Sequence, residues 1–174
     1  MEIAPQIVNE LFEAAKAGDA SRLQQLLDDR PELANAENGD GLTLLGYAAH
    51  YGHADAVRTI LDQGADVNAV SRSKISFIPS NTALHAAIAG ERDEAVIRLL
   101  LERGARADLF DSNGHTCLHS AAYHDDSEEL IRLLVARGAD VNAKAEGGDS
   151  ALSLAVAKGN AKAANALREL GAQL

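Results

Sequence analysis

Apolar residues in this chain come in short runs at i, i+3 and i+4, separated by glycine, aspartate and asparagine. Leu130, Leu133 and Leu134 form one such run, which predicts an amphipathic helix with a single buried stripe. Glu128 and Glu129 fall in its first turn, where the helix dipole favours anions, and Gly138 follows Arg137 as a left-handed stop. Just upstream, Leu118, Ala121 and Ala122 give a second helix a narrow face of small side chains, which lets neighbouring helices approach closely. Thr116 is its expected N-cap, and Asp111-Ser112-Asn113-Gly114 before it carries turn chemistry. Asp140-Val141-Asn142-Ala143 reads as extended. The unit is turn, helix, turn, helix, then a finger-like extension.

This unit is written several times. Helix starts recur as Thr43-Leu44-Leu45, Thr82-Ala83-Leu84-His85, Thr116-Cys117-Leu118-His119 and Ser150-Ala151-Leu152. Helix ends recur as Gly64-Ala65, Gly104-Ala105, Gly138-Ala139 and Gly171-Ala172, at intervals of 40, 34 and 33 residues. A period near 33 predicts a stacked array, because no single unit can bury its apolar face alone. Leu133 and Leu134 are expected to pack between Leu99, Leu100 and Leu101 of the preceding copy and Leu167 and Leu170 of the next.

The pattern predicts an all-α solenoid, slightly curved, with short β-hairpin fingers, forming one domain over residues 1–174. Its five units span roughly 5–37, 38–70, 71–110, 111–144 and 145–174. The first reads as a cap, with Val8, Leu11, Phe12, Ala14 and Ala15, then Leu23, Leu26 and Leu27, ending at Arg30-Pro31 in place of Gly-Ala. In the last, Ala163, Ala164 and Asn165 replace large apolar residues, and Lys162 and Arg168 make the outer face more polar. Two such lids predict an array complete within these residues.

Composition narrows the functional classes. Of 174 residues 47% are hydrophobic but only 3% aromatic, which suits a core of Leu, Val, Ile and Ala. A formal net charge of −10 opposes non-specific attraction to nucleic acid or anionic membranes. One cysteine, Cys117, rules out an internal disulfide framework. Met1-Glu2-Ile3-Ala4-Pro5 carries no basic run leading into an apolar one, and no stretch is long and apolar enough to span a bilayer. A cytoplasmic monomer is expected.

The recurring segments resemble the ankyrin repeat, whose usual helix start is Thr-Pro-Leu-His followed by two alanines. Thr82-Ala83-Leu84-His85 and Thr116-Cys117-Leu118-His119 match at three of four positions, while Thr43-Leu44-Leu45-Gly46 and Ser150-Ala151-Leu152-Ser153 match less fully. Gly64-Ala65-Asp66-Val67-Asn68-Ala69 and Gly138-Ala139-Asp140-Val141-Asn142-Ala143 match the segment leading into the finger. No copy has the proline, so each gives up a residue pre-set for the first helical position. The resemblance implies a protein-binding module (adaptor, inhibitor or regulator, or a scaffold) that uses finger tips and exposed first-helix positions on a concave surface.

Residues 70–81 break the period. This enlarged finger carries Ile75, Phe77 and Ile78 together with Arg72 and Lys74 and no acidic residue. Either it contacts a partner, as long loops in compact arrays often do, or Phe77 and Ile78 fold back onto the first helices. Further candidate contacts are Asp40, Leu42, His50, Tyr51, Asn113, His115, Tyr123, His124, Asp149 and Lys158, with Tyr51 and Tyr123 as the aromatic anchors or as gap fillers between first helices. Counted from the helix-start threonine, the turns Gly90-Glu91-Arg92-Asp93 and His124-Asp125-Asp126-Ser127 each end one residue later than His50-Tyr51-Gly52-His53, and so read one residue longer.

Other chemistry finds less support. His115, Cys117, His119, His124 and Asp125 include zinc-ligand types, but His119 is the fourth residue of the helix-start motif and the others diverge on a turn and a helix. The resemblance implies that its imidazole bonds backbone and joins adjacent copies. Acid pairs such as Asp28-Asp29 and Asp125-Asp126 face no opposing group, and phosphate-loop and nucleophile-elbow motifs are absent. The expectation is no enzyme, no metal and no cofactor, with another protein as partner. The rivals are a metal-binding or enzymatic protein built on the His115–Asp125 cluster and a self-associating structural module.

Overall fold

The computed structural model describes residues 5–90 and 93–174. Its described residues form ten α-helices and one 3-10 turn, with β structure limited to three antiparallel bridges, Glu37 to Thr43, Phe110 to Thr116 and Lys144 to Ser150. Each bridge closes a finger, so the expected all-α architecture with hairpin fingers is present. The chain divides into two compact units, residues 1–105 and 106–174.

The first unit contains α1 (Pro5–Ala17), α2 (Ala20–Asp28), the 3-10 turn Pro31–Asn35, α3 (Leu44–His50), α4 (Ala54–Asp62), α5 (Ala83–Ala89) and α6 (Glu94–Glu102). First helices pack on first helices, α1 on α3 and α3 on α5, and second helices do likewise, α2 on α4 and α4 on α6. Leu11, Leu23, Leu27, Leu44, Ile60, Leu84, Ile88, Ile97 and Leu100 are buried between these layers. The second unit contains α7 (Cys117–His124), α8 (Glu128–Ala136), α9 (Ala151–Lys158) and α10 (Ala161–Glu169), packed around Leu118, Ile131, Leu134, Leu152 and Leu167.

Local chemistry sets the boundaries. Thr43 Oγ1 accepts from the Gly46 N–H at 3.1 Å, and Asp93, Ser127 and Ser150 cap α6, α8 and α9 in the same way. Gly64, Gly104, Gly138 and Gly171 all sit near φ +95°, with 93° to 99° observed, as expected for residues that stop the second helices. The asparagines leading into the fingers tie one copy to the next. Asn35 donates to the Gly64 carbonyl, Asn68 to Gly104 and Asn142 to Gly171, at 3.0–3.3 Å.

Three details depart from the sequence reading. The first unit's chain continues past Arg30 into Pro31–Asn35, where Leu33 and Ala34 are buried, so the cap has an extra turn. The connection from α7 to α8 is residues 125–127, the same length as 51–53 between α3 and α4, and the extra residue lies inside α7. Of the turn Gly90-Glu91-Arg92-Asp93, Glu91 and Arg92 lie outside the described residues. Leu133 is only half-buried beside fully buried Leu134, and Leu170 is half-buried too.

Candidate protein-recognition surfaces

In the first unit, the 70–81 finger is built from serine hydroxyls and from the turn before it. Ser71 N–H donates to the Asn81 carbonyl at 2.9 Å, Asn81 N–H donates back to Ser71 Oγ at 3.0 Å, and Ser73 N–H donates to Ser80 Oγ at 3.1 Å. These bonds close the base without β-ladder pairing. The outer strand then leans on the 38–42 turn. Arg72 N–H donates to the Gly41 carbonyl at 2.8 Å, Lys74 N–H to the Asp40 carbonyl at 2.9 Å and Lys74 Nζ to the Gly39 carbonyl at 3.0 Å. Glu37 grips the Arg72 guanidinium from two sides, with Nε at 3.1 Å from both carboxylate oxygens and Nη2 at 2.8 Å from one.

The finger is therefore less basic than its composition implied, since Glu37, 35 positions upstream, neutralises Arg72. Its tip is a tight turn in which Ile78 N–H donates to the Ile75 carbonyl at 3.0 Å. Ile75 and Ile78 are half-buried against the finger, but Phe77 is 84% exposed. The ring does not fold back onto the first helices. It stands in water at the end of a braced mount.

The same unit aligns aromatic rings along its first helices. Phe12 of α1 meets Tyr47 of α3 edge-on at 5.1 Å, Tyr47 meets Tyr51 at 5.1 Å, and His50 meets Tyr51 at 5.2 Å. Lys16 Nζ lies 5.7 Å above the Tyr51 ring. Tyr51 is half-buried, His50 is exposed, and Leu42 is half-buried beside the turn that carries the finger. Burial pushes the Tyr47 phenol up to about 12, helped by the Tyr51 hydroxyl and the charges of Glu13 and Asp40. Because the folded value exceeds the ordinary 10.0, the neutral phenol stabilises the fold fully below pH 10, and that contribution fades as pH rises toward 12. Titration of phenolate absorbance in native protein is expected to show one of the three tyrosines ionising last, with Tyr47→Phe deleting that late step. Three coincident steps near pH 10 would refute this placement.

The second unit carries its own exposed group. Tyr123 is 43% exposed, with His124 at 5.0 Å edge-on and Lys158 Nζ 3.9 Å over its ring. Asn113 is exposed at a finger turn, and His115 is half-buried with Nδ1 4.0 Å from Asp111. These residues sit on the 111–115 turn, α7 and α9 of one unit, with the His115 ring 5.8 Å from that of His119.

Two members of the His115–Asp125 cluster are engaged otherwise. Thr116 N–H points at His119 Nδ1 at 3.2 Å, so Nδ1 accepts and Nε2–H donates to the Asp149 carbonyl at 3.1 Å. Both ring nitrogens are engaged, Nδ1 within its own copy and Nε2 with the next, and burial keeps the imidazole neutral by lowering its pKa. Cys117 is fully buried, and burial raises its thiol well above the usual range, which opposes thiolate formation. Among the described residues no group of three or more His, Cys, Asp or Glu side chains is placed to hold a metal. Among them, too, no helix is long and apolar enough to cross a membrane.

Comparison with known proteins agrees with this architecture. A family model described as ankyrin repeats in three copies matches residues 11–111, 73–145 and 107–174. The mouse (Mus musculus) protein named ankyrin repeat and SAM domain-containing protein 6 is 34% identical over 106 residues, 61% of this chain and 11% of that protein. A Caenorhabditis elegans homologue of transient receptor potential cation channel subfamily A member 1 is 36% identical over 77 residues, 44% of this chain and 6% of its own. Human (Homo sapiens) NAD-capped RNA hydrolase NUDT12 is 35% identical over 69 residues, 40% of this chain and 15% of its own. The chain thus spans a small fraction of each of these relatives.

Proposed function

The chain belongs to the ankyrin repeat family, whose repeats are generally protein–protein interaction modules, and on that premise we propose that it recognises a partner protein without catalysing a reaction. The observation that carries the reading is Phe77, 84% exposed on a finger held from behind by four contacts to residues 37–41. Fully burying a phenylalanine side chain contributes roughly 1.5–3 kcal/mol, so seating this ring in a partner's apolar pocket contributes about 2–3 kcal/mol. Ile75 and Ile78 form the shoulders of the tip, with Arg72, Lys74 and Leu42 at its base. In the second unit, Tyr123, His124, Asn113 and His115 supply further polar and aromatic contacts. The roles of adaptor, inhibitor or regulator, a cytoplasmic setting and a monomeric state all fit this reading.

The relatives' names pair similar segments with a channel, a hydrolase and a SAM-domain protein, which favours a recognition role common to the repeats over any one activity. The test is Phe77→Ser in affinity capture from the native host, alongside thermal unfolding. Partner recovery is expected to fall at least about 30-fold while stability stays within about 0.5 kcal/mol of wild type, as for an exposed side chain. Unchanged capture, or a large loss of stability, would count against the finger as the contact.

A further inference from the structure

We infer that the Tyr47–Tyr51 aromatic pair of the first unit, with the carboxylates of Glu13 and Asp40, takes a basic side chain, arginine foremost, from the partner protein. The inference rests on the protein-recognition reading above and adds the chemistry of the partner's second contact. Three observations converge on it. The Phe12–Tyr47–Tyr51 rings stand edge to face at 5.1 Å steps, which fixes their orientation. The chain's own Lys16 ammonium already lies 5.7 Å over Tyr51, so the ring attracts a cation in this surrounding. Glu13 and Asp40 are exposed, act on Tyr47 from two different elements, and have no ion-pair partner among the described residues.

Four other acids of the same unit already hold an ion pair. In the same unit Glu10 is paired with Arg22, Glu37 with Arg72, Asp62 with Arg103 and Glu94 with Arg98. Glu13 on α1 and Asp40 on the finger turn both act on Tyr47 and carry no ion pair among the described residues. A guanidinium matches both features, because it stacks on an aromatic face while its fork reaches a carboxylate. The net charge of −10 adds long-range attraction for such a partner. Lys16 then acts as a resident competitor that an incoming arginine displaces.

That competition supplies a discriminating test. The probe is an acetylated, amidated Gly-Arg-Gly-Arg-Gly peptide, with a citrulline version as its uncharged isostere, titrated into the full chain and followed by NMR of the tyrosine rings. The arginine peptide is expected to move the Tyr47 and Tyr51 signals and the citrulline peptide to leave them in place. Glu13→Gln with Asp40→Asn, both exposed and free of packing, is expected to weaken binding about tenfold. Lys16→Gln is expected to tighten it about threefold, while Lys162→Gln, the same charge change at an exposed position in the second unit, leaves it unchanged. Equal shifts with both peptides, no gain in Lys16→Gln, or an equal gain in Lys162→Gln would each overturn the inference. Phe77→Ser is expected to leave the titration intact, and loss of peptide binding there would place the peptide on the finger instead. Failure of the aromatic site is thus read separately from failure of the finger, whose own test is partner capture.

Discussion

A Gly41→Ala chain is expected to lose the 70–81 finger's mounting and, with it, most partner capture. Gly41 is buried at φ +76°, a left-handed conformation that costs an alanine roughly 1–2 kcal/mol. The larger obstacle is contact. A Cβ there would lie 2.0 Å from the Arg72 carbonyl oxygen and 2.7 Å from its carbon, both backbone atoms that cannot swing aside. Relief requires moving the finger strand away, which breaks the Arg72 and Lys74 N–H bonds to Gly41 and Asp40. Each costs about 1 kcal/mol, for a total near 3–4 kcal/mol. Gly39→Ala is the matched control, since a Cβ at Gly39 meets nothing within 4 Å. Chemical denaturation of both variants is expected to show a loss of roughly that size for Gly41→Ala and almost none for Gly39→Ala. Equal losses would mean that the turn does not mount the finger.

The second large effect separates two adjacent leucines. Leu134→Ala is expected to cost about 2–5 kcal/mol, because the side chain is fully buried in α8 and a cavity would remain. Leu133→Ala is expected to cost about 1 kcal/mol, since half-buried Leu133 already meets water and its site can relax. Urea unfolding of the pair decides the point, and comparable losses would contradict the packing of α8 described above.

The architecture was readable in the residues because repeats write the same local instructions several times. Thr or Ser caps, Gly stops and the small-residue faces of the first helices agree with one another, so helix boundaries fall close to their expected places. The stripe at i, i+3 and i+4 could not rank Leu133 against Leu134, because periodicity defines a face and not its depth. The α7–α8 connection was misjudged for a related reason. His124 looks like a turn residue after Tyr123, yet its backbone continues the helix by one residue.

The surfaces were less legible because their decisive contacts join distant positions. Glu37 and Arg72 lie 35 residues apart, so the finger's charge was overestimated from its own composition. Tyr47, between Gly46 and Ala48, carried no local signal, and nothing in its surroundings along the chain tied it to Glu13 of α1 or Asp40 of the finger turn. Lys16 gave no signal at all until α1 and α3 were side by side. The exposure of Phe77 was the other undecided point, since composition allows the ring either to seal its loop or to leave it. The serine and backbone bonds that brace the finger decide it, because they hold the strand while leaving the tip outside.

The most direct measurement of the central claim is photo-crosslinking in the native host with benzoylphenylalanine placed at position 77, and separately at exposed Gln24 on α2. Recognition through the finger predicts one protein adduct of defined mass from position 77 and none from position 24. No adduct at 77, or the same adducts from both positions, would contradict it.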